Sequence, residues 1–180
     1  MKKVYEKIGW KTEWIINKFK DPNGQIEKML RLGARIEDVK RQFPEAFIGT
    51  EKFVANVALN VGLQYLIDFI CGIGATTTKW DNTNARLGVG SDSTAADPSQ
   101  TDLLDSTPTW KAMDTGYPQR SGQTAEWRAT FGSDDANEAW NEFAVDNGAT
   151  AHKLLNRKVE SKGTKASGET WTLSLKITFS

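Results

Sequence analysis

The segment Thr170 to Phe179, T-W-T-L-S-L-K-I-T-F, alternates without a break. Trp171, Leu173, Leu175, Ile177 and Phe179 fall on one side; Thr170, Thr172, Ser174, Lys176 and Thr178 fall on the other. Successive strand side chains point to opposite faces, so this is a strand with one face in a core and one in water. A chain ending in such a strand is expected to close a sheet with it.

From Thr76 onward, short alternating apolar pieces are separated by Gly, Asp, Asn, Ser and Pro. That pattern predicts an antiparallel β-sandwich or barrel over residues 76–180. The strands expected are Ala85–Val89, Trp110–Met113, Ala125–Phe131, Ala139–Val145, Leu154–Glu160 and Thr170–Phe179. Turns are marked by Gly116, Pro118, Ser121-Gly122, Ser133-Asp134-Asp135, Asn147-Gly148 and Ser167-Gly168. The polar run Ser91–Ser106 reads as an ordered surface loop.

Ahead of this region, Val57–Ile70 predicts a helix. Leu59, Leu63, Leu66, Ile67 and Ile70 form its stripe, and Asn60, Gln64 and Asp68 its polar side. Gly72 and Gly74 supply a stop. The stripe is expected to lie across one face or end of a sheet. Residues 1–50 read as an N-terminal arm or small α+β extension, and residues 51–180 as the sandwich domain with its leading helix. Within the extension, Trp10 to Phe19 is a candidate strand and D-P-N-G at Asp21–Gly24 a turn. Gln25 to Leu32 fits either a returning hairpin arm or a helix. Ile36 to Phe43 has helical spacing, and Pro44 ends it.

Charge and composition exclude several function classes. The 23 basic residues balance 23 acidic ones, leaving no field to draw nucleic acid or an anionic membrane. Trp127 and Trp140 with Arg128, Arg157 and Lys158 therefore read as core and rim rather than as a stacking platform. No apolar stretch reaches the roughly 20 residues needed to span a bilayer, and the N-terminus lacks a signal-peptide apolar core. The single Cys71, in an apolar run, rules out an internal disulfide and reads as a buried inert thiol. The one histidine, His152, lies in a polar segment and reads as a solvated loop residue.

Chemistry is otherwise sparse. Gly88-Val89-Gly90-Ser91-Asp92 lacks the Lys-Ser/Thr of a phosphate loop and reads as a strand-end turn. Asp134-Asp135-Ala136-Asn137 caps a turn or, alternatively, holds a calcium ion. Trp10, Trp14 and Trp80 leave a sugar-binding reading open. No catalytic group, cofactor site or metal site is assigned, and the expected class is non-enzymatic.

The runs Lys79–Leu103 (K-W-D-N-T-N-A-R-L-G-V-G-S-D-S-T-A-A-D-P-S-Q-T-D-L), Lys111–Pro118, Trp127–Phe143, Leu154–Lys165 and Ser167–Thr178 follow one another in a characteristic order. This series resembles a family of small structural proteins encoded by tailed bacteriophages and prophages, over about residues 53–180. The resemblance implies a β-rich, non-enzymatic virion component that is assembled in the host cytoplasm and binds other virion proteins. A capsid decoration or cement protein is the expected role, with the major capsid protein as partner and a homo-oligomeric state. Alternatives are a tail, baseplate or neck/head-fibre part, or a carbohydrate-binding adhesion module. Seven Trp and eight Phe are a heavy aromatic load, and aromatics carry much of the energy of interfaces. The contact residues expected are Trp10, Trp14, Ile16 and Phe19, with Phe43 and Phe47. The same N-terminal side chains also suit completion of the sandwich.

Overall fold

The computed structural model describes residues 9–73, 78–148 and 150–180, and its frame is two five-stranded antiparallel sheets packed face to face. The strands are β1 (Trp10–Lys20), β2 (Phe47–Val54), β3 (Val57–Ala58), β4 (Arg86–Gly90), β5 (Thr109–Ala112), β6 (Gln119–Ser121), β7 (Thr124–Phe131), β8 (Glu142–Asp146), β9 (Leu154–Val159) and β10 (Glu169–Phe179). Three α-helices accompany them: α1 (Gln25–Arg31), α2 (Ile36–Gln42) and α3 (Asn60–Cys71). The first sheet runs β2-β1-β10-β7-β6 and the second β3-β9-β8-β4-β5. Neither closes on itself, so the architecture is a sandwich.

Alternation in β10 buries its apolar side as expected, but the polar side is not in water. Thr170, Thr172 and Ser174 are buried too, with Thr170 donating to Asp21 and Thr172 accepting from Asn17. Trp171, Leu173, Leu175 and Ile177 are buried in the main core, with Trp127, Ala129 and Phe131 of β7 beside them and Trp14 and Ile16 of β1 on the other side. The second sheet meets them with Leu87, Val89, Phe143, Val145 and Leu155. Trp140 sits edge-on to Trp171 at 4.9 Å and to Phe131 at 4.8 Å, the offset geometry aromatic pairs prefer.

Strand β1, the core of the predicted arm, is not separable from the sandwich. β1 pairs with β10 along eleven residue pairs, from Trp10↔Phe179 to Lys20↔Glu169, and lies between β10 and β2. A strand buried on its inner face and bonded on both edges belongs to the sheet. Residues 1–8 of the predicted arm lie outside the described residues, as does Gly74 of the predicted helix stop.

Each sheet also has a covered outer face. Over the first, α1 and α2 pack Ile26, Leu30 and Val39 onto Phe19. Asp21 decides that Gln25 starts a helix and not a hairpin arm: its carboxylate accepts from the Ile26 N–H at 3.1 Å and the Glu27 N–H at 2.8 Å, and also from Thr170 Oγ1. Beneath them Arg128 donates to Asp114 Oδ2 at 2.7 Å and to the Leu30 carbonyl at 2.9 Å, with Tyr117 against its guanidinium. Burial pushes the Asp114 carboxyl above its ordinary range, against the pull of Arg128 and Thr130. Over the second sheet, Leu59 and Leu103 close on Ala144 and Leu154.

The predicted strands appear with ends shifted by a residue or a few; β8 begins at Glu142 rather than Ala139. The turn glycines Gly116, Gly122, Gly148 and Gly168 all adopt positive φ. Gly88 is needed for a different reason: a Cβ there would lie 2.5 Å from the Trp110 ring, which crosses β4 at this point.

Candidate functional site

Helix α3 begins later than its periodicity predicts. Val57 and Ala58 form β3 against β9, Leu59 stays extended as the N-cap, and its N–H donates to the Leu155 carbonyl at 3.2 Å. The Asn60 N–H goes to Pro98 O at 2.8 Å, and Gly72 ends the helix in the left-handed conformation. The helix then presses its backbone onto β9 through Gly62. A Cβ at that position would meet Leu154 O at 2.5 Å and Leu155 Cα at 2.6 Å, so only glycine permits the approach.

This docking fixes which side of α3 faces the protein. Gly62 and Tyr65 are buried, Leu66 packs against the main core, and the Tyr65 ring stands edge-on to Trp80 at 5.2 Å. Trp80 is itself held by its Nε1–H to Lys153 O at 3.2 Å, and its carbonyl accepts from Trp127 Nε1 at 2.9 Å. Between helix and Trp80 lies an apolar cleft of about 270 Å³ lined by Tyr65, Leu66, Phe69, Lys79, Trp80 and Pro118.

The predicted stripe therefore divides. Leu59 and Leu66 face the protein, while Leu63, Ile67 and Ile70 point away from it, with exposures of 37%, 56% and 80%. Phe69 at 50% and Ile73 at 55% extend this surface past the body of the sandwich. Isolated exposed apolar residues are ordinary; five large ones on one helix and its end are not. Cys71, expected to be buried, is exposed beside them.

The six residues expected to make contacts lie elsewhere. Trp14 and Ile16 are fully buried in the main core and Phe19 is fully buried beneath α1 and α2. Trp10 packs edge-on against Phe179 at 5.4 Å, while Phe43 and Phe47 pack into the second core, the latter against Phe19 at 5.5 Å. The hydrophobicity of Trp14, Ile16 and Phe19 is spent on completing the sandwich, which corrects the interface expectation for those three, while Trp10, Phe43 and Phe47 are half-buried. The sugar-binding reading loses Trp14 for the same reason.

Charged groups that sequence alone treats as scattered are brought together in pairs. Arg157 and Glu142 are fully buried, 2.7 Å apart, and Glu142 also accepts from the N–H groups of Leu104 and Asp105. Arg157 adds bonds to Thr94 O and Gln100 Oε1, so the pair fastens the polar loop 91–106 to β8 and β9. Neither Arg157 nor Arg128 is the rim residue expected. His152 is not a free loop side chain either: Nε2 is 2.9 Å from Asp102 Oδ2, Nδ1 is 3.1 Å from Asp146 Oδ2, and Trp110 lies at 5.8 Å. Arg86 completes that cluster at 2.5 Å from Asp146.

In the 132–137 turn, the ammonium of Lys165 donates to Gly132 O at 2.6 Å and Asn137 Oδ1 at 2.8 Å, and Lys111 pairs with Asp135 at 2.7 Å. Two lysines thus serve oxygens that a calcium ion would need. Among the described residues, no group of three or more His, Cys, Asp or Glu is placed to hold a metal ion, and no helix is long and apolar enough to cross a membrane.

Comparison with protein-family models, with curated proteins and with solved structures gives no match.

Proposed function

We propose that this chain is a non-enzymatic structural protein of a tailed-phage virion, acting as a capsid decoration or cement protein through protein–protein contact. The observation that carries the reading is the apolar surface of α3. Leu63, Ile67, Phe69, Ile70 and Ile73 stand in water although three internal clusters already bury the sandwich's own apolar faces. Fully burying one Leu or Ile side chain contributes about 1.5–3 kcal/mol, so the group supplies a contact of useful strength. Repetition at fixed geometry on a symmetric shell would multiply such contacts. The order of motifs from Lys79 to Thr178 supports the virion setting.

Quantitative mass spectrometry of purified virions tests the reading through the ratio of this chain to the major capsid protein. A near-stoichiometric ratio is expected. A ratio of a few per cent would transfer the chain to the neck, tail or baseplate, and absence from virions would end the structural reading.

A further inference from the structure

Helix α3 carries two apolar sides, and the fold uses one. Toward the sandwich face Gly62, Tyr65 and Leu66; on the opposite side Leu63, Ile67 and Ile70 recur at intervals of four and three residues. Spacings of three and four are those of a helix–helix seam. Exposure climbs along the seam from 37% at Leu63 to 80% at Ile70, so its outer end stands clear of the body and open to a neighbour.

We propose that this seam pairs with the same seam of a second copy, forming a two-fold symmetric dimer through α3. Charge permits a second copy and disfavours a polyanion. The only acidic or basic residue in α3 is Asp68, which lies on the polar side of the helix and outside the seam, so two seams meet without like-charge repulsion. The same lack of charge gives a phosphate backbone or anionic headgroup nothing to bind.

Area sets the strength. Four side chains exposed as Leu63, Ile67, Ile70 and Ile73 are present on the order of 400 Å² of apolar surface, the scale at which a patch marks a contact site. Pairing buries about twice that, below the roughly 1,200 Å² of stable specific interfaces and on the scale of transient encounters, so the dimer is weak and reversible. Isologous closure needs no second kind of patch. The inference rests on the same α3 surface as the virion reading and names a second copy as its occupant; its test is made on the isolated chain, so its failure is told apart from absence of the chain from virions.

Sedimentation equilibrium on the purified chain over a wide dilution series tests it. The mass is expected to rise with concentration from 20.0 kDa toward twice that value. Ile67→Lys and Ile67→Glu should each hold the chain at the monomer mass, with unchanged circular dichroism and unfolding midpoint. Mixing the two in equal amounts should restore the rise, since opposite charges then face each other across the axis. Leu104→Lys, at an exposed apolar residue outside α3, should associate like the parent. Ile70→Lys repeats the test at the most exposed seam position. A parent chain that stays monomeric throughout, a limiting mass of three copies, seam variants that associate normally, or a mixture of folded variants that remains monomeric would each overturn the pairing.

Discussion

Glu142 and Arg157 are both fully buried, and neither charge would be tolerated there alone. An ion removed from water loses several kcal/mol of hydration, which only a close partner and a full set of hydrogen bonds offset. Glu142 has both: Arg157 at 2.7 Å and the N–H groups of Leu104 and Asp105 at 3.0 and 2.7 Å. Glu142→Ala would leave the Arg157 guanidinium with Asp92 at 3.4 Å as its remaining ion pair and would free two loop amides. The expected loss is about 3–5 kcal/mol in urea unfolding, the usual cost of removing one partner of a buried pair. Hydrogen exchange should quicken over residues 91–106. A loss below about 1 kcal/mol would mean that the pair behaves as a solvated surface bridge.

At the scale of elements, the strands were legible where one face is apolar and the other polar, as in β7 and β10. β2 was missed because its inward positions include Gly49 and Glu51, and Glu51 is acceptable there only because it pairs with Lys18. β3 and β6 are two and three residues long, too short for any period to register. Helix α3 was legible as a helix, but apolar spacing alone does not say which side meets the protein. The signal is Gly62, since a small residue inside a helix allows a close backbone approach. The N-terminal aromatics were misplaced because alternation in W-K-T-E-W-I-I-N-K-F fits an arm and a central strand equally well. The role of Gly62 is testable by Gly62→Ala. Alanine improves helix propensity by about 1 kcal/mol, but its Cβ must displace β9 or α3, at a cost of about 1–3 kcal/mol. A net loss of stability is expected in thermal or urea unfolding. A net gain would show that α3 does not press on β9 as described.

Across the whole molecule, formal charge sums to zero near neutrality, so response to acid is governed by individual carboxylates rather than by net repulsion. Four of these are held below their ordinary ranges: Asp97 by Ser99, Asp105 by Ser91 and Thr107, Glu160 by Lys162 and Lys158, and Asp135 by Lys111 and the Gly132 N–H, in the last case against the opposing effect of burial. A carboxylate whose folded pKa is depressed adds stability above its unfolded value of about 4, and that stability is lost as pH falls through the folded value. Asp114 and Glu138 have the opposite sign. Burial raises both, so they stabilise below about pH 4 and lose that contribution as pH rises through their folded values. The unfolding midpoint should therefore fall as pH drops below about 4, modestly because water screens most of these side chains, and should decline shallowly on the other side as Asp114 and Glu138 ionise. Calorimetry from pH 2.5 to pH 7 would trace both limbs. Asp114→Asn, which keeps an acceptor for Arg128 without titrating, should lower the midpoint overall and flatten the shallow limb alone. If it flattened the acid limb instead, Asp114 would be ionised and ion-paired throughout, with Arg128 outweighing its burial.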